Sequence, residues 1–291
     1  NGPEVKKLEE EFADCVGSKY AIAVSNGTTA LMTSLMCIKE KYGVNNIGVP
    51  SFTFIASANS SYHYFGKENV KLLDCDMDSW NVTDDNLVDN LDTIMTVDVG
   101  GLPCDYDSLC SKNIPIIADS AESLGSRING KLIGTQAEMH CFSLHRAKIV
   151  SCGEGGMITT NCDHINDLAR SFLNHGYSKE KNAYEYVHDN YGLNFRMSDV
   201  NAAIARVQLK KLDKYVNHRN YIANIYKEKL NGLVKMQEFE QKYVNNYFFF
   251  GIITKRRNEM VKFLLENGIQ VKTWTAVHKQ TIWKQEGLPN A

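Results

Sequence analysis

Short apolar runs alternate with amphipathic helical patterns through the first two thirds of the chain. Val5, Leu8 and Phe12 recur at helical spacing between Pro3 and Gly17, so the chain is predicted to open with a helix that Gly17 ends. Apolar runs of strand length follow at 20–24, 47–49, 70–73, 93–97, 114–118, 140–144 and 157–159. This alternation predicts an α/β fold with a mostly parallel sheet.

The last third of the chain has a different pattern. Ser198 is a predicted N-cap of a long helix, and a strand candidate at 247–254 and a helix at 258–267 follow. We therefore predict a large domain over 1–215 and a smaller C-terminal α+β domain over 216–291, which we expect to be truncated. The boundary is soft because no Pro/Gly/Ser-rich linker marks it.

Composition and charge exclude several classes of protein. The 291 residues carry 32 Lys and Arg against 34 Asp and Glu, a net charge of −2, so no basic surface for nucleic acid or anionic membranes is indicated. No apolar run reaches the roughly 18–20 residues that span a bilayer. The 8 cysteines are scattered without a CxxC pair, which favours reduced thiols and a cytoplasmic location.

Nucleotide and zinc motifs are incomplete. The stretch 125–132 approaches a Walker A loop, but Leu132 replaces its Ser/Thr, and Asn129-Gly130 is typical of a β-hairpin turn. No GxGxxG motif is present, and His140 and His145 are spaced to lie on opposite faces of a strand, so neither a dinucleotide fold nor a metal site is predicted.

Two polar features at strand ends indicate ligand binding or plain helix capping. The turn 25–28 (SNGT) lies between a predicted strand and a predicted helix, where free backbone N–H groups favour a phosphate. Asp119 follows the strand at 114–118, and ligands of open α/β sheets bind at that edge. An N-cap role stays open for both features.

Lys148 supplies a possible nucleophilic amine. It lies between a predicted strand and the glycine-rich turn 153–156, which is predicted to fold the chain back over a closed pocket. A phosphate site, a buried carboxylate and such a lysine are together what pyridoxal 5′-phosphate (PLP) requires. The combination predicts a PLP enzyme.

Several motifs resemble one enzyme family in order and spacing along nearly the whole chain. They are the stretches 23–31 (AVSNGTTAL), 49–54 (VPSFTF), 119–122 (DSAE), 142–148 (FSLHRAK) with the turn 153–156 (GEGG), and 192–198 (GLNFRMS). The chain resembles the DegT/StrS-type nucleotide-sugar aminotransferases. The resemblance implies a PLP-dependent transferase of fold type I, with a seven-stranded, mostly parallel sheet between helices.

The resemblance also implies roles for individual residues. The implied catalytic residues are Lys148, which would bind PLP covalently, and Asp119, which would keep the ring nitrogen of PLP protonated. The other implied ligands are Gly27, Thr28 and Ser143 at the phosphate, Phe54 and Ala121 on the two ring faces, Glu122 at the ring hydroxyl, Asn194 at the phosphate of a neighbouring subunit, and His278 at the sugar. The role of Asn194 implies a homodimer with shared active sites.

The predicted activity is transfer of an amino group from glutamate to the C4 keto group of a nucleotide-linked 4-keto-6-deoxy sugar. A PLP-dependent sugar dehydratase is an alternative, disfavoured because such members typically carry His at the position of Lys148. A non-catalytic, regulatory member is another, since Asp98 and Gly100 stand where the family usually has His and Tyr.

Overall fold

A computed structural model describes residues 2–178, 185–284 and 286–291. The strands of the described residues, over all sheets, are β1 (Tyr20–Val24), β2 (Ile47–Pro50), β3 (Val70–Leu73), β4 (Thr93–Val97), β5 (Ile116–Asp119), β6 (Arg127–Ile128), β7 (Lys131–Leu132), β8 (Met139–Ser143), β9 (Gly156–Thr160), β10 (Lys235–Met236), β11 (Tyr243–Val244) and β12 (Ile252–Ile253). The largest sheet contains seven of them in the order β1-β9-β8-β5-β4-β2-β3, and within it β9 alone runs antiparallel to its neighbours.

Helices cover both faces of the large sheet. They are α1 (Pro3–Val16), α2 (Gly27–Tyr42), α3 (Ile55–Phe65), α4 (Tyr106–Cys110), α5 (Asp163–Phe172), α6 (Asp199–Leu209), α7 (Leu212–Leu230) and α8 (Arg257–Glu266). One apolar cluster joins α1 and α6 to the sheet, and a second joins α2, α3 and α5 to it. β5 is buried on both faces, as a central parallel strand requires. The predicted three-layer architecture is confirmed.

Local sequence signals account for most element boundaries. α1 has Pro3 in its first turn and ends at Gly17, whose φ of 76° lies in the left-handed region. The hairpin predicted at Asn129-Gly130 joins β6 to β7, with positive φ values of 49° and 77° at its two turn residues. The short-range patterns therefore predicted these elements correctly.

Two predicted elements are wrong. The strand predicted at 247–254 is mostly a loop, because Tyr247 has φ 50° and its amide donates to the Asn245 side chain; Ile252–Ile253 alone forms a strand. The long helix predicted from Ser198 breaks near Lys211, whose backbone (φ −103°, ψ 2°) is not helical. Neither the aromatic content of 247–250 nor the helical periodicity after Ser198 indicates these interruptions of the strand and the helix.

The C-terminal segment is built from small elements. β10 and β12 form a two-stranded sheet, and none of the residues of α8 is buried. α7 runs across position 215, so the predicted division into two domains stays a prediction. No helix in the described ranges combines the length and apolar character needed to cross a bilayer.

Candidate active site

The carboxyl ends of parallel strands bring the predicted acid to one edge of the sheet. Asp119, the last residue of β5, is 7% exposed. Ser57 Oγ donates to its Oδ2 at 2.7 Å, and the Ala121 N–H donates to its Oδ1 at 3.2 Å. Burial nevertheless raises the pKa of the Asp119 carboxyl, because these hydrogen bonds compensate only part of the lost hydration. Asp119 thus lies in a site where a cationic partner would stabilise its charge.

The first turn of α2 faces the end of β8. Asn26 caps the helix by accepting the Thr29 N–H at 2.9 Å. A Cβ added to Gly27 would lie 2.9 Å from Ser143 Cβ, so glycine permits the close approach of the helix to the serine. The first N–H groups of a helix lack intrahelical partners, and with the Ser143 hydroxyl they form a cradle suited to an anion.

Lys148 points into the same edge. Its Nζ lies 3.9 Å from Glu122 Oε1 and 4.0 Å from the centroid of the Phe248 ring. The lysine side chain is 16% exposed. Burial lowers the pKa of the Lys148 amine, although Glu122 and Asp119 act to raise it. Burial also raises the pKa of Glu122 to about 7.

A second buried carboxylate supports this edge from below. Asp98 follows β4 and accepts hydrogen bonds from Ser120 Oγ at 2.9 Å and Ser123 Oγ at 2.6 Å. It also accepts from the Tyr106 hydroxyl at 2.8 Å and the Cys104 N–H at 2.9 Å. Burial raises the pKa of the Asp98 carboxyl. Asp98 therefore ties the segment after Asp119 to the neighbouring strand.

His140 extends the same network beneath the sheet edge. Its Nε2 lies 3.0 Å from the Gln136 N–H and 3.1 Å from the Ala137 N–H, so it accepts both hydrogen bonds. Its Nδ1 is then the protonated nitrogen and donates to Ser120 Oγ at 2.9 Å. Burial lowers the pKa of His140 to about 3, which fits this neutral form.

These residues fit PLP by the chemistry of their donors. The α2 N-terminus and Ser143 offer an anion site, Asp119 is a buried carboxylate, and Lys148 is a buried amine. Gly27 leaves open the space that a Cβ would fill beside Ser143. The anion site, the acid and the amine thus occupy one edge of one sheet.

Comparison with known proteins decides the family. The sequence profile of the DegT/DnrJ/EryC1/StrS aminotransferase family matches residues 1–291. The chain belongs to this family. It is 30% identical to GDP-perosamine synthase of Escherichia coli O157:H7 over 98% of this chain and 80% of the relative. It is 28% identical to GDP-4-keto-6-deoxy-D-mannose 3-dehydratase of Yersinia pseudotuberculosis, over 93% of this chain and 77% of the relative.

A solved structure of the same family superposes closely. The crystal structure of a DegT DnrJ EryC1 StrS aminotransferase from Brucella abortus matches with a TM-score of 0.88 at 27% identity, covering 99% of this chain and 82% of the other. Aminotransferases of this family depend on PLP, so the predicted fold, enzyme class and cofactor are confirmed.

The structure brings some of the predicted site residues together and leaves others apart. Lys148 contacts Glu122, Ser143 lies against Gly27, and Ala121 donates its N–H to Asp119. Thr28 follows Gly27 in the first turn of α2 and is exposed.

Three predicted ligands lie outside this cluster of contacts. Phe54 is at the N-cap of α3, and 60% of its surface is exposed. Asn194 is exposed and forms an isolated antiparallel β-bridge with Asn174. His278 is buried, and its Nδ1 lies 2.7 Å from Ser51 Oγ. The roles of all the predicted site residues stay predictions.

Sequence reasoning missed two residues that shape the site. Ser57 is a hydrogen-bond partner of Asp119 from α3, and no motif marks it. Phe248 lies over the Lys148 amine, but its aromatic neighbourhood suggested a strand. A loop could have been inferred from Asn245-Asn246, which are typical turn residues.

Proposed function

We propose that this protein is a PLP-dependent aminotransferase that moves an amino group from glutamate to the C4 keto group of a nucleotide-linked 4-keto-6-deoxy sugar. The observation that carries the proposal is the buried Lys148 amine at the sheet edge that holds Asp119 and the α2 N-terminus. The relative named GDP-perosamine synthase supports a nucleotide-linked sugar as the acceptor.

The residues divide into those that hold the cofactor and those that move protons. PLP, when bound, supplies an electron-accepting ring that stabilises negative charge at the carbon bearing the amino group. Asp119 would keep the ring nitrogen protonated, and the first turn of α2 with Ser143 would bind the phosphate. Lys148 would hold the cofactor covalently and, once released, carry a proton as base and then as acid. The burial that lowers its pKa favours the base form.

A second copy of the chain is the proposed partner. Val200, Ile204 and Val207 lie at helical spacing on α6 and are all exposed, so they form an apolar stripe. Asn194 is exposed a few residues before this stripe. We propose that the stripe packs in a homodimer and that Asn194 reaches the partner's phosphate site.

The dehydratase alternative has a relative of its own but lacks its expected residue. The Yersinia relative is named as a dehydratase, whereas the resemblance places His in such enzymes where this chain has Lys148. A lysine can both bind the cofactor covalently and return to it after the donor has reacted. Lys148 therefore favours transamination.

Absorption spectroscopy tests the proposal directly. The purified protein with PLP should show a visible band that glutamate shifts, and Lys148→Ala should abolish both the covalent bond and the shift. Lys41→Ala is the matched control, because Lys41 lies at the other end of α2 and pairs with Glu138 at 3.3 Å. If PLP is bound and its absorption spectrum does not change when glutamate is added, the proposed donor and the proposed reaction are both contradicted.

The acceptor is tested by product analysis. Nucleotide-linked 4-keto-6-deoxy sugars and ¹⁵N-glutamate should give a product with ¹⁵N on C4 in the NMR spectrum. Loss of the C3 oxygen without ¹⁵N incorporation would instead establish dehydration.

A further inference from the structure

The Lys148 amine lies between two walls of different chemistry. On one side is the Glu122 carboxylate at 3.9 Å, and on the other is the face of the Phe248 ring at 4.0 Å. The Glu122 side chain is 10% exposed, and its Oε2 accepts the Gly100 N–H at 2.9 Å. One oxygen of the carboxylate is therefore fixed while the other faces the amine.

The loop that carries Phe248 is fastened at several points. Arg219 Nη1 donates to the carbonyls of Tyr247 and Phe248 at 2.8 and 3.1 Å. Asn246 Oδ1 accepts the Phe248 N–H at 2.9 Å, and Asn246 Nδ2 donates to the Glu122 carbonyl at 2.8 Å. The same asparagine thus links the aromatic wall to the backbone of the acidic wall, so their separation is set by direct hydrogen bonds.

We propose that Glu122 and Phe248 form the resting position of the Lys148 amine whenever it is not bonded to the cofactor. The proposal rests on the proposed function, in which the donor releases this amine. Phe248 is then a positioning residue. It holds the released Lys148 amine close to the cofactor carbon to which it had been bonded, so that the same covalent bond can form again.

Electrostatics explains why both walls are needed. Burial disfavours the ammonium form of Lys148, whereas an opposite charge and an aromatic face each favour it. Asp119 also acts on this amine, and Asp98 acts on Glu122 from behind. The two walls keep the released amine localised without solvating it.

Competitive labelling of the full chain without PLP measures this effect on the free amine. Trace acetic anhydride is applied across the pH range, and acetylation of Lys148 is followed by mass spectrometry against the other lysines. Phe248→Leu keeps an apolar side chain but removes the ring face. We expect it to lower the midpoint of Lys148 labelling by about 0.5–1 pH unit.

The neighbouring aromatic residue provides the matched control. Phe250 packs on Tyr226 and Tyr247, at ring distances of 5.1 and 6.1 Å. Phe250→Leu should therefore leave the Lys148 midpoint unchanged. Glu122→Gln should also lower the midpoint, because it removes the charge that favours the ammonium form.

An unchanged midpoint in Phe248→Leu, or an equal shift in Phe250→Leu, would overturn the proposal. If Phe248→Leu does not fold by circular dichroism, Phe248→Tyr keeps the ring face. A Phe248→Tyr midpoint at the wild-type value, with a lower one in Glu122→Gln, would support the two-wall position; a shifted Phe248→Tyr midpoint would overturn it.

The two proposals fail in different ways. If Phe248→Leu lowers the midpoint of Lys148 labelling but glutamate does not change the spectrum of the wild-type protein with PLP, the resting position is supported and the proposed reaction is contradicted. If glutamate changes the PLP spectrum of the wild-type protein but Phe248→Leu leaves the midpoint of Lys148 labelling unchanged, the reaction is supported and the resting position is contradicted.

Discussion

The sheet edge below the site and the C-terminal segment 257–291 are held in place in different ways. Asp98 is fully buried and accepts four hydrogen bonds from groups on α4, its flanking loop and the segment after β5. By contrast, α8 buries no residue, and the last part of the chain is attached at separate points, such as the Val277 N–H to the Ser51 carbonyl. The edge is a dense polar network, whereas the segment is held by separate contacts, among them the packing of Val277 and Trp283 in the second apolar cluster.

This difference indicates where the chemistry can be precise. Polar groups in a low-dielectric interior are costly unless each has a partner, so a satisfied network permits few alternative arrangements. Asp119 and Glu122 project from that network. The C-terminal part contributes Phe248 through a loop that is itself tied to the network by Asn246.

The largest contrast should come from removing aromatic rings. Phe142 on β8 is fully buried and packs on Phe12 at a ring distance of 5.2 Å, so Phe142→Ala should lower the free energy of unfolding by about 3–5 kcal/mol. Phe263 on α8 is 63% exposed, and Phe263→Ala should change it by about 0.5 kcal/mol or less. Urea titration of both variants measures the contrast, and equal losses would contradict it.

The Glu122 carboxyl should make the free energy of unfolding of the wild-type protein fall by about 3 kcal/mol between low and neutral pH. Burial raises its pKa from 4.5 to about 7, so the folded chain without cofactor holds this proton more tightly than the unfolded chain. The stabilisation is complete below pH 4.5 and is lost as pH rises to 7, at about 1.4 kcal/mol per unit.

Glutamine does not titrate, so the substitution removes the pH dependence of stability that the Glu122 carboxyl contributes. The stability of Glu122→Gln relative to wild type should rise by about 3 kcal/mol between pH 4.5 and 7.5 and then level off. Urea titrations across that range measure it, with Phe263→Ala as the variant whose difference from wild type stays constant. A flat difference for Glu122→Gln would show that its carboxyl is not buried in this way.

The smallest contrast concerns single hydroxyl groups. Ser123 donates to the buried Asp98 carboxylate at 2.6 Å, so Ser123→Ala should cost about 2 kcal/mol of unfolding free energy. Ser111 donates to the Ser108 carbonyl at the same distance but is exposed, and Ser111→Ala should cost about 0.5 kcal/mol or less. Thermal unfolding measures both, and a Ser123→Ala loss no larger than that of Ser111→Ala would refute the network's contribution.

Much of the large sheet could be predicted because its signals are local. Strand-length apolar runs, the Pro3 and Gly17 helix boundaries and the Asn129-Gly130 turn each act within a few residues. The aromatic run after Asn246 was misassigned for the complementary reason. Hydrogen bonds from Arg219 and the left-handed backbone of Tyr247 determine its shape, and the first of these comes from a distant helix.

The sequence by itself determined the layer architecture and predicted Asp119 and Lys148 as site residues, because parallel strands bring their ends to one edge and motif spacing points to these two residues. Only the tertiary structure decided what surrounds them. Ser57 lies 62 positions from Asp119, Asp98 lies 22 positions from Ser120, and Phe248 lies 100 positions from Lys148. Burial and desolvation, which shift the pKa values of the site, depend on packing among such distant segments and have no local signature.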